Sequence, residues 1–292
     1  MTRQEVVKLI AECEKNGQFD QHVDPIDWDN ALPVDGSFNY LRKGLKQFLQ
    51  HTFIVKPFTN KVAKKDFLVE VKGKENLCGI KNAIVTCNHI NKFDCLVAKY
   101  ALKGHKLRIT AGHFNNQKGW FGEMMRVGGL MPLSPNFSAM KNFNEAMGHL
   151  LTRGTYVMFY PEQAMWWNYK KPRPFKNGAF HYAVKHNVPV IPLFITMEDR
   201  PELDEETGFP KQKYTLHIMP AIYPNQNLPK AENVEYVKNA NYNACKAKYE
   251  EVYKIPLTYT CDEKSDKIIE FKAKAQSFAT SLEANHQGEL HC

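Results

Sequence analysis

No stretch of the sequence approaches the roughly 20 consecutive apolar residues that a membrane-spanning helix needs. Polar and acidic residues follow Met1 almost at once, so no secretory signal peptide is predicted. These two absences predict that any contact with a membrane is made at its surface.

Closely spaced cysteines are also lacking. The seven cysteines are odd in number and none forms a C-x-x-C pair, which argues against a disulfide framework and against a zinc site. We therefore expect reduced thiols in a cytosolic setting, and a peripheral protein on the cytoplasmic face of a membrane.

Several catalytic motifs are missing as well. There is no G-x-S-x-G nucleophile elbow, no P-loop, no G-x-G-x-x-G after a strand and no H-E-x-x-H. These absences argue against serine hydrolases, P-loop and dinucleotide-binding enzymes, and metalloproteases of that type. The net charge of +8 favours an anionic partner. Because no nucleic-acid-binding module accompanies the charge, we expect anionic lipid or an acidic carrier and no nucleic acid.

Strand and helix patterns alternate through the middle of the chain. Strands are predicted at 67–71, 83–87, 107–111, 130–133, 156–160, 188–195 and 214–222, and helices at 93–102, 120–127, 138–154 and 179–186. This alternation predicts an α/β domain with a mixed, largely parallel central sheet flanked by helices. The charged, turn-rich stretch 199–213 predicts a loop.

The remaining segments divide the chain into three parts. Residues 1–60 are predicted to form an N-terminal helical segment, 61–225 the α/β domain, and 226–292 a C-terminal helical extension. Within the first part, residues 38–58 combine apolar and basic positions at helical spacing. Such a helix can lie in a membrane interface or pack on a core, and the pattern alone favours neither.

The stretch Asn88-His89-x4-Asp94 begins where a buried strand is predicted to end. Active sites of open α/β sheets lie beyond the carboxyl ends of the strands. A loop there can bring the Asp94 carboxylate to the His89 ring, which fixes the tautomer and leaves the other ring nitrogen as a general base. The alternatives are a helix-capping Asp94 and a loop histidine without a catalytic role.

Five blocks, in this order, resemble the glycerolipid acyltransferases of the lysophosphatidic acid acyltransferase type. They are the H-x4-D motif at 89–94, Gly128-Gly129-Leu130-Met131-Pro132-Leu133-Ser134, Phe159-Tyr160-Pro161-Glu162-Gln163-Ala164-Met165, Phe175-Lys176-Asn177-Gly178-Ala179 and Val188-Pro189-Val190-Ile191-Pro192. The resemblance covers about residues 66–195. It implies the glycerolipid acyltransferase fold and an O-acyltransferase of phospholipid biosynthesis.

The resemblance also implies roles for residues. An acyl group would pass from acyl-CoA or an acyl carrier protein, as co-substrate, to a hydroxyl of a lysolipid such as 1-acylglycerol-3-phosphate, with His89 and Asp94 catalytic. Substrate-binding positions would be Glu162, with Gln163, Lys176, Asn88 and Arg173. Backbone N–H groups near 161–163 would bind the thioester oxyanion. No metal or redox cofactor is implied.

Two positions depart from the family pattern. Ser134 and Met165 stand where members that bind phosphate usually carry Arg, whose fork suits a phosphate group. The basic run from Lys170 to Lys176 offers replacements, although such a run usually marks a solvated loop. The aromatic stretch Trp166–Tyr169 is expected to wall a pocket or anchor at the interface.

Three functions are consistent with these residues. The first is the acyltransferase acting on a phosphate-bearing lysolipid. The second is an acyltransferase with a non-phosphate acceptor. The third is a non-catalytic lipid-binding protein on the same fold, which the altered third block favours and which His89 and Asp94 oppose.

Overall fold

A computed structural model describes residues 1–24 and 31–259 of the chain. Residues 260–292 of the C-terminal extension predicted for 226–292 lie outside this range, as do residues 25–30 of the predicted N-terminal segment.

Seven strands form one sheet. They are β1 (Glu70–Lys72), β2 (Ala83–Thr86), β3 (Lys106–Gly112), β4 (Leu130–Leu133), β5 (Thr155–Phe159), β6 (Val190–Leu203) and β7 (Pro210–Ile218). The order across the sheet is β1-β7-β6-β2-β5-β3-β4, and every neighbouring pair is parallel except β6 with β7. The predicted α/β class with a mixed, largely parallel sheet is therefore confirmed.

Helices cover the sheet and its edges. They are α1 (Arg3–Lys15), α2 (Leu45–Gln50), α3 (Lys56–Lys61), α4 (Asp94–Ala101), α5 (Gly119–Val127), α6 (Phe137–Thr152), α7 (Gly178–His186) and α8 (Lys230–Tyr253), with π-helical segments at His51–Val55 and Val62–Asp66. Short 3₁₀ turns lie at Lys74–Leu77 and His113–Asn115.

Apolar side chains fill both faces of the sheet, as a parallel sheet requires. Val85 of β2 points to the face that α4 covers, where Val97 is fully buried. Ile84 points to the opposite face, which α6 and α7 cover with residues such as Phe143 and Phe180. The four residues of β2 are all buried, so the strand that precedes His89 is held from both sides.

The loop prediction for residues 199–213 was wrong. β6 continues to Leu203, and β7 begins at Pro210, so the stretch forms the end of an antiparallel hairpin. Its outer residues, from Glu198 to Leu203, are mostly exposed. Backbone hydrogen bonds between the two strands stabilise this hairpin, so charged side chains are tolerated on the exposed β6 side and the apolar signal of a strand is lost there.

The predicted helix at 38–58 begins later and continues further than the sequence suggested. α2, α3 and the two π-helical segments follow one another without a break from residue 45 to 66. Gly44, just before the start, has φ 144°, a conformation that helices exclude and that glycine adopts readily.

Candidate active site

His89 and Asp94 lie beyond the carboxyl end of β2, at the edge of the sheet where β3 and β5 also end. Asp94 is the first residue of α4. Its Oδ2 lies 2.8 Å from Nδ1 of His89. The short loop between strand and helix therefore folds back on itself and brings the two side chains together.

Asp94 is fully buried and accepts hydrogen bonds through both oxygens. Besides Nδ1 of His89, Oδ2 accepts the backbone N–H groups of Ile90, at 3.1 Å, and Asn91, at 3.4 Å. Oδ1 accepts the Tyr160 hydroxyl at 2.6 Å. These donors replace the water that a buried carboxylate loses.

Tyr160 contacts both members of the pair. Its ring stacks on the His89 ring with centroids 3.9 Å apart and planes 16° apart. Burial, and then the nearby Asp94 carboxylate, raise the pKa of the Tyr160 hydroxyl well above its usual range. The hydroxyl therefore stays protonated at neutral pH and remains a donor to Asp94.

The partner of Nδ1 determines what the other His89 nitrogen can do. An ionised carboxylate only accepts hydrogen bonds, so the neutral ring carries its proton on Nδ1. Nε2 is then an unprotonated acceptor, and the side chain keeps 19% of its surface exposed. The arrangement can take a proton from a group that enters the cleft.

Glu162 and Arg173 form a buried ion pair directly behind this loop. Nη2 of Arg173 lies 2.7 Å from Oε2 of Glu162, and each side chain is 1% exposed. Oε2 also accepts the His89 backbone N–H at 3.1 Å, and Oε1 accepts the Arg173 N–H at 3.0 Å. Nη2 of Arg173 further donates to the His89 carbonyl at 3.3 Å and to the Ala164 carbonyl.

The two residues therefore hold the backbone of His89 from both sides. Their charged atoms are turned inward and engaged with each other. This placement differs from the substrate contact expected of Glu162 and Arg173, because a group that is 1% exposed in a paired state does not reach a substrate in the cleft.

Asn88 is also placed inside the protein. Its side chain is 2% exposed. Nδ2 donates to the Ile195 carbonyl at 2.9 Å and Oδ1 accepts the Ile195 N–H at 2.8 Å. The amide thus extends the hydrogen bonding between β2 and β6. It fixes the start of the loop between β2 and α4, which carries His89.

Gln163 and Lys176 lie nearer the surface. Gln163 is exposed and has φ 64°, and its N–H donates to the Tyr160 carbonyl at 3.0 Å. Nζ of Lys176 lies 2.8 Å from Asp20. The Ala164 N–H donates to the Glu162 carbonyl. Of the backbone donors expected for an oxyanion, the Glu162 N–H has no acceptor among the residues that the structure describes.

Within the stretch Trp166–Tyr169, Trp167 and Asn168 line a cavity beside Asn91 and Phe93, as one of the two expected uses, whereas Trp166 and Tyr169 belong to the core. Trp166, Trp167 and Tyr169 are buried, together with Met165, in a cluster with α1. The ring of Trp166 stacks on Phe19 with centroids 5.6 Å apart. The N-terminal segment supplies an apolar surface to this cluster, and no local pattern predicts that contact.

The basic residues between Lys170 and Lys176 form ion pairs with carboxylates of the protein. Lys171 pairs with Glu14 at 2.8 Å, and Lys170 lies 4.0 Å from Asp199. Arg173 and Lys176 are paired as described above. The hydroxyl of Ser134 donates to the Val34 carbonyl at 2.7 Å and accepts the Asn136 N–H. None of these groups stands ready for a phosphate.

Two residues of the site were not predicted from the sequence. Tyr160 directly follows β5, the strand that pairs with β2, and this position could have predicted that Tyr160 lies near His89. His22 lies with its ring centroid 6.5 Å from that of His89, yet 67 positions earlier in the chain. Nothing in the sequence links it to the site.

Comparisons with known proteins relate this part of the chain to one family. Residues 68–196 match the family described as Acyltransferase. The resemblance to glycerolipid acyltransferases that the five blocks predicted is thereby confirmed.

Curated relatives of the acyltransferase domain carry one name. The 1-acyl-sn-glycerol-3-phosphate acyltransferase alpha of Ovis aries is 26% identical over 162 residues, which are 55% of this chain and 55% of that protein. The protein of the same name from Homo sapiens is 25% identical over 162 residues, 55% of this chain and 56% of its own length. The chain spans about half the length of these relatives.

A solved structure shares the fold. The 1-acyl-sn-glycerophosphate (LPA) acyltransferase PlsC of Thermotoga maritima is similar with a TM-score of 0.53 and 22% identity, over 75% of this chain and 86% of that chain. The predicted glycerolipid acyltransferase fold of the domain is confirmed by this likeness.

Glu162→Gln is expected to destabilise the protein by about 3–5 kcal/mol, because it leaves the buried Arg173 guanidinium without its counter-charge. Urea unfolding followed by circular dichroism measures this change. Glu198→Gln is the matched control, since Glu198 pairs with Lys213 on the surface of the β6–β7 hairpin. Equal midpoints for the two variants would contradict the assigned role of the pair.

Proposed function

We propose that the protein transfers a fatty acyl group from an acyl thioester to a hydroxyl of a lysolipid. The observation that carries the proposal is the 2.8 Å contact between Nδ1 of His89 and Asp94, which leaves Nε2 exposed as a base. A protein that only binds lipid has no use for a histidine whose tautomer is fixed in this way.

The reaction follows from the two nitrogens of His89. Nε2 takes the proton of the acceptor hydroxyl while the oxygen attacks the thioester carbonyl carbon. The Asp94 carboxylate stabilises the imidazolium that forms. When the C–S bond breaks, the sulfur leaves with the proton that His89 had taken, and an ester and a free thiol result. The Glu162 N–H is the proposed donor to the oxyanion.

The acceptor follows from the relatives' names and from the site together. The curated relatives are named for 1-acyl-sn-glycerol-3-phosphate, which supports a lysolipid of that kind. The buried Met165 and the engaged Ser134 support the second candidate, an acceptor that lacks phosphate. The proposed donor is acyl-CoA or an acylated carrier protein.

We also propose that α2 and α5 rest on a membrane surface. On α2 and the following π-helical segment, the most exposed apolar side chains are Leu45, at 74%, Phe48, at 64%, and Phe53, at 71%, and α5 adds Trp120, at 66%. The two helices contact each other. Among the described residues no helix is long and apolar enough to cross a membrane.

At its start, residues 45–53, the helix exposes its larger apolar side chains, whereas an ordinary surface helix hides them. Gln47, Gln50 and Thr52 on its inner side each contain a buried oxygen without a hydrogen-bond partner among the described residues. Aromatic residues outside and amides inside suit an apolar environment outside. Exposed Lys43 and Lys46 flank the surface and favour anionic lipid.

His89→Ala is expected to lower acyl transfer by about 10²–10⁴-fold, because it removes the base without touching the buried ion pair. The measurement is product formation from an acyl-CoA and a panel of 1-acylglycerol-3-phosphate, 1-acylglycerol and other lysolipids. His105→Ala is the control. His105 directly precedes β3, its ring stacks on Tyr156 of β5, and it lies outside the site. Wild-type rates in a folded His89→Ala protein would rule out the mechanism.

Phe48→Ser combined with Phe53→Ser is expected to weaken binding to vesicles by at least about tenfold, because each exposed ring loses its transfer from water to acyl chains. Flotation with phosphatidylcholine vesicles containing phosphatidylglycerol measures this. Tyr236→Ser, an exposed aromatic on α8, is the control. Arg42 is left intact because it pairs with Glu123. Unchanged flotation of the double variant would refute the membrane assignment.

A further inference from the structure

His22 is brought to the catalytic histidine by the N-terminal segment. Its ring lies edge-on to that of His89, with centroids 6.5 Å apart and planes at 64°, and edge-on to Phe114, with centroids 6.1 Å apart. Its side chain is 38% exposed. The His22 ring thus lies beside the His89 ring, and both side chains are partly exposed.

The segment that carries His22 is fixed at several points. The Val23 N–H donates to the Met165 carbonyl and the Trp167 N–H donates to the Val23 carbonyl, which forms a parallel bridge. Nε1 of Trp166 donates to the Gln21 carbonyl at 2.7 Å. The Trp166 N–H donates in turn to the His89 carbonyl. The two histidines are therefore held by the same stretch of backbone.

Met165 determines the tautomer of His22. The Met165 backbone N–H can only donate, and it lies 3.0 Å from Nδ1 of His22. Nδ1 must accept this hydrogen bond, so the neutral ring carries its proton on Nε2. Asp24 lies 3.8 Å from Nε2, beyond hydrogen-bond distance. Among residues 1–24 and 31–259, no acceptor lies within hydrogen-bond distance of this oriented N–H donor.

The two rings have complementary roles as a result. His89 has its proton on Nδ1 and offers an acceptor, whereas His22 has its proton on Nε2 and offers a donor. Ser134, Lys171, Arg173 and Lys176, which the sequence offered for a head group, are engaged with protein partners instead.

We infer that Nε2 of His22 donates a hydrogen bond to a second oxygen of the acceptor's head group, while that acceptor's reacting hydroxyl lies against His89. This inference rests on the proposed acyl transfer for the identity of the acceptor. The oxygen belongs either to a phosphate or to the glycerol unit itself, and both offer lone pairs to an imidazole N–H.

Two substitutions distinguish the donor role of Nε2 from the hydrogen bond that Nδ1 of His22 accepts from Met165. In His22→Asn, Oδ1 can replace Nδ1 as the acceptor for the Met165 N–H, but the donor at the position of Nε2 is lost. In His22→Gln, the longer amide places an N–H₂ near that position. His105→Asn is the control for loss of a histidine elsewhere.

Calorimetric titration with 1-hexanoylglycerol-3-phosphate and with 1-hexanoylglycerol tests the inference. His22→Asn is expected to weaken binding by about tenfold to a hundredfold, and His22→Gln to restore most of it. Weakening with the phosphate ligand alone identifies phosphate as the partner, and weakening with both identifies a glycerol oxygen. In the transfer assay the acceptor KM should rise, with kcat and the unfolding midpoint little changed.

Equal affinity of His22→Asn and wild type for both ligands would overturn the inference, as would a fall in kcat alone. The proposed function fails separately. If the wild type transfers no acyl group although His22→Asn weakens lysolipid binding, acyl transfer is refuted and the role of His22 stands.

Discussion

The buried carboxylate of Asp94 is the group on which the site depends. A charge with no exposed surface is costly unless every lone pair finds a donor, and Asp94 receives four donors, from the His89 ring, two backbone N–H groups and Tyr160. Satisfying the carboxylate fixes the path of the loop between β2 and α4. It also determines which nitrogen of His89 is left without its proton, so the requirements of burial and of the proposed catalysis coincide.

A second buried charge pair supports the first. Glu162 and Arg173 hold the N–H and the carbonyl of His89, and Arg173 also donates to the Phe19 carbonyl of the N-terminal segment. The guanidinium lies over the Trp166 ring, with its carbon 4.9 Å from the centroid. The loop after β2, the loop after β5 and the N-terminal segment are therefore coupled through one ion pair, which brings His22 to the site.

Much of the fold could be predicted because it follows from local pattern. The buried runs ending near Thr86 and Phe159 depend on neighbours in the sequence, and each lies where it was expected. The contact between His89 and Asp94 could be predicted for the same reason, because Asp94 follows only five positions later.

The remainder depends on contacts between distant parts of the chain. Trp166 looked like an exposed aromatic because its partners, such as Phe19, lie about 150 residues away. Glu162 and Arg173 looked like ligands of a substrate because a carboxylate and a guanidinium in a polar stretch carry no sign of burial. His22 is the extreme case, because only the folded N-terminal segment makes it a neighbour of His89.

The most direct test of this account is the protonation of the His89 ring, read from ¹⁵N–¹H correlation spectra of the protein with labelled histidine, assigned by comparison with His89→Ala. In the neutral ring, the account predicts a proton on Nδ1 and an unprotonated Nε2, and it predicts that Asp94→Asn loses this preference. A proton on Nε2 in the wild type would contradict the central claim, because His89 would then have no free base facing the cleft.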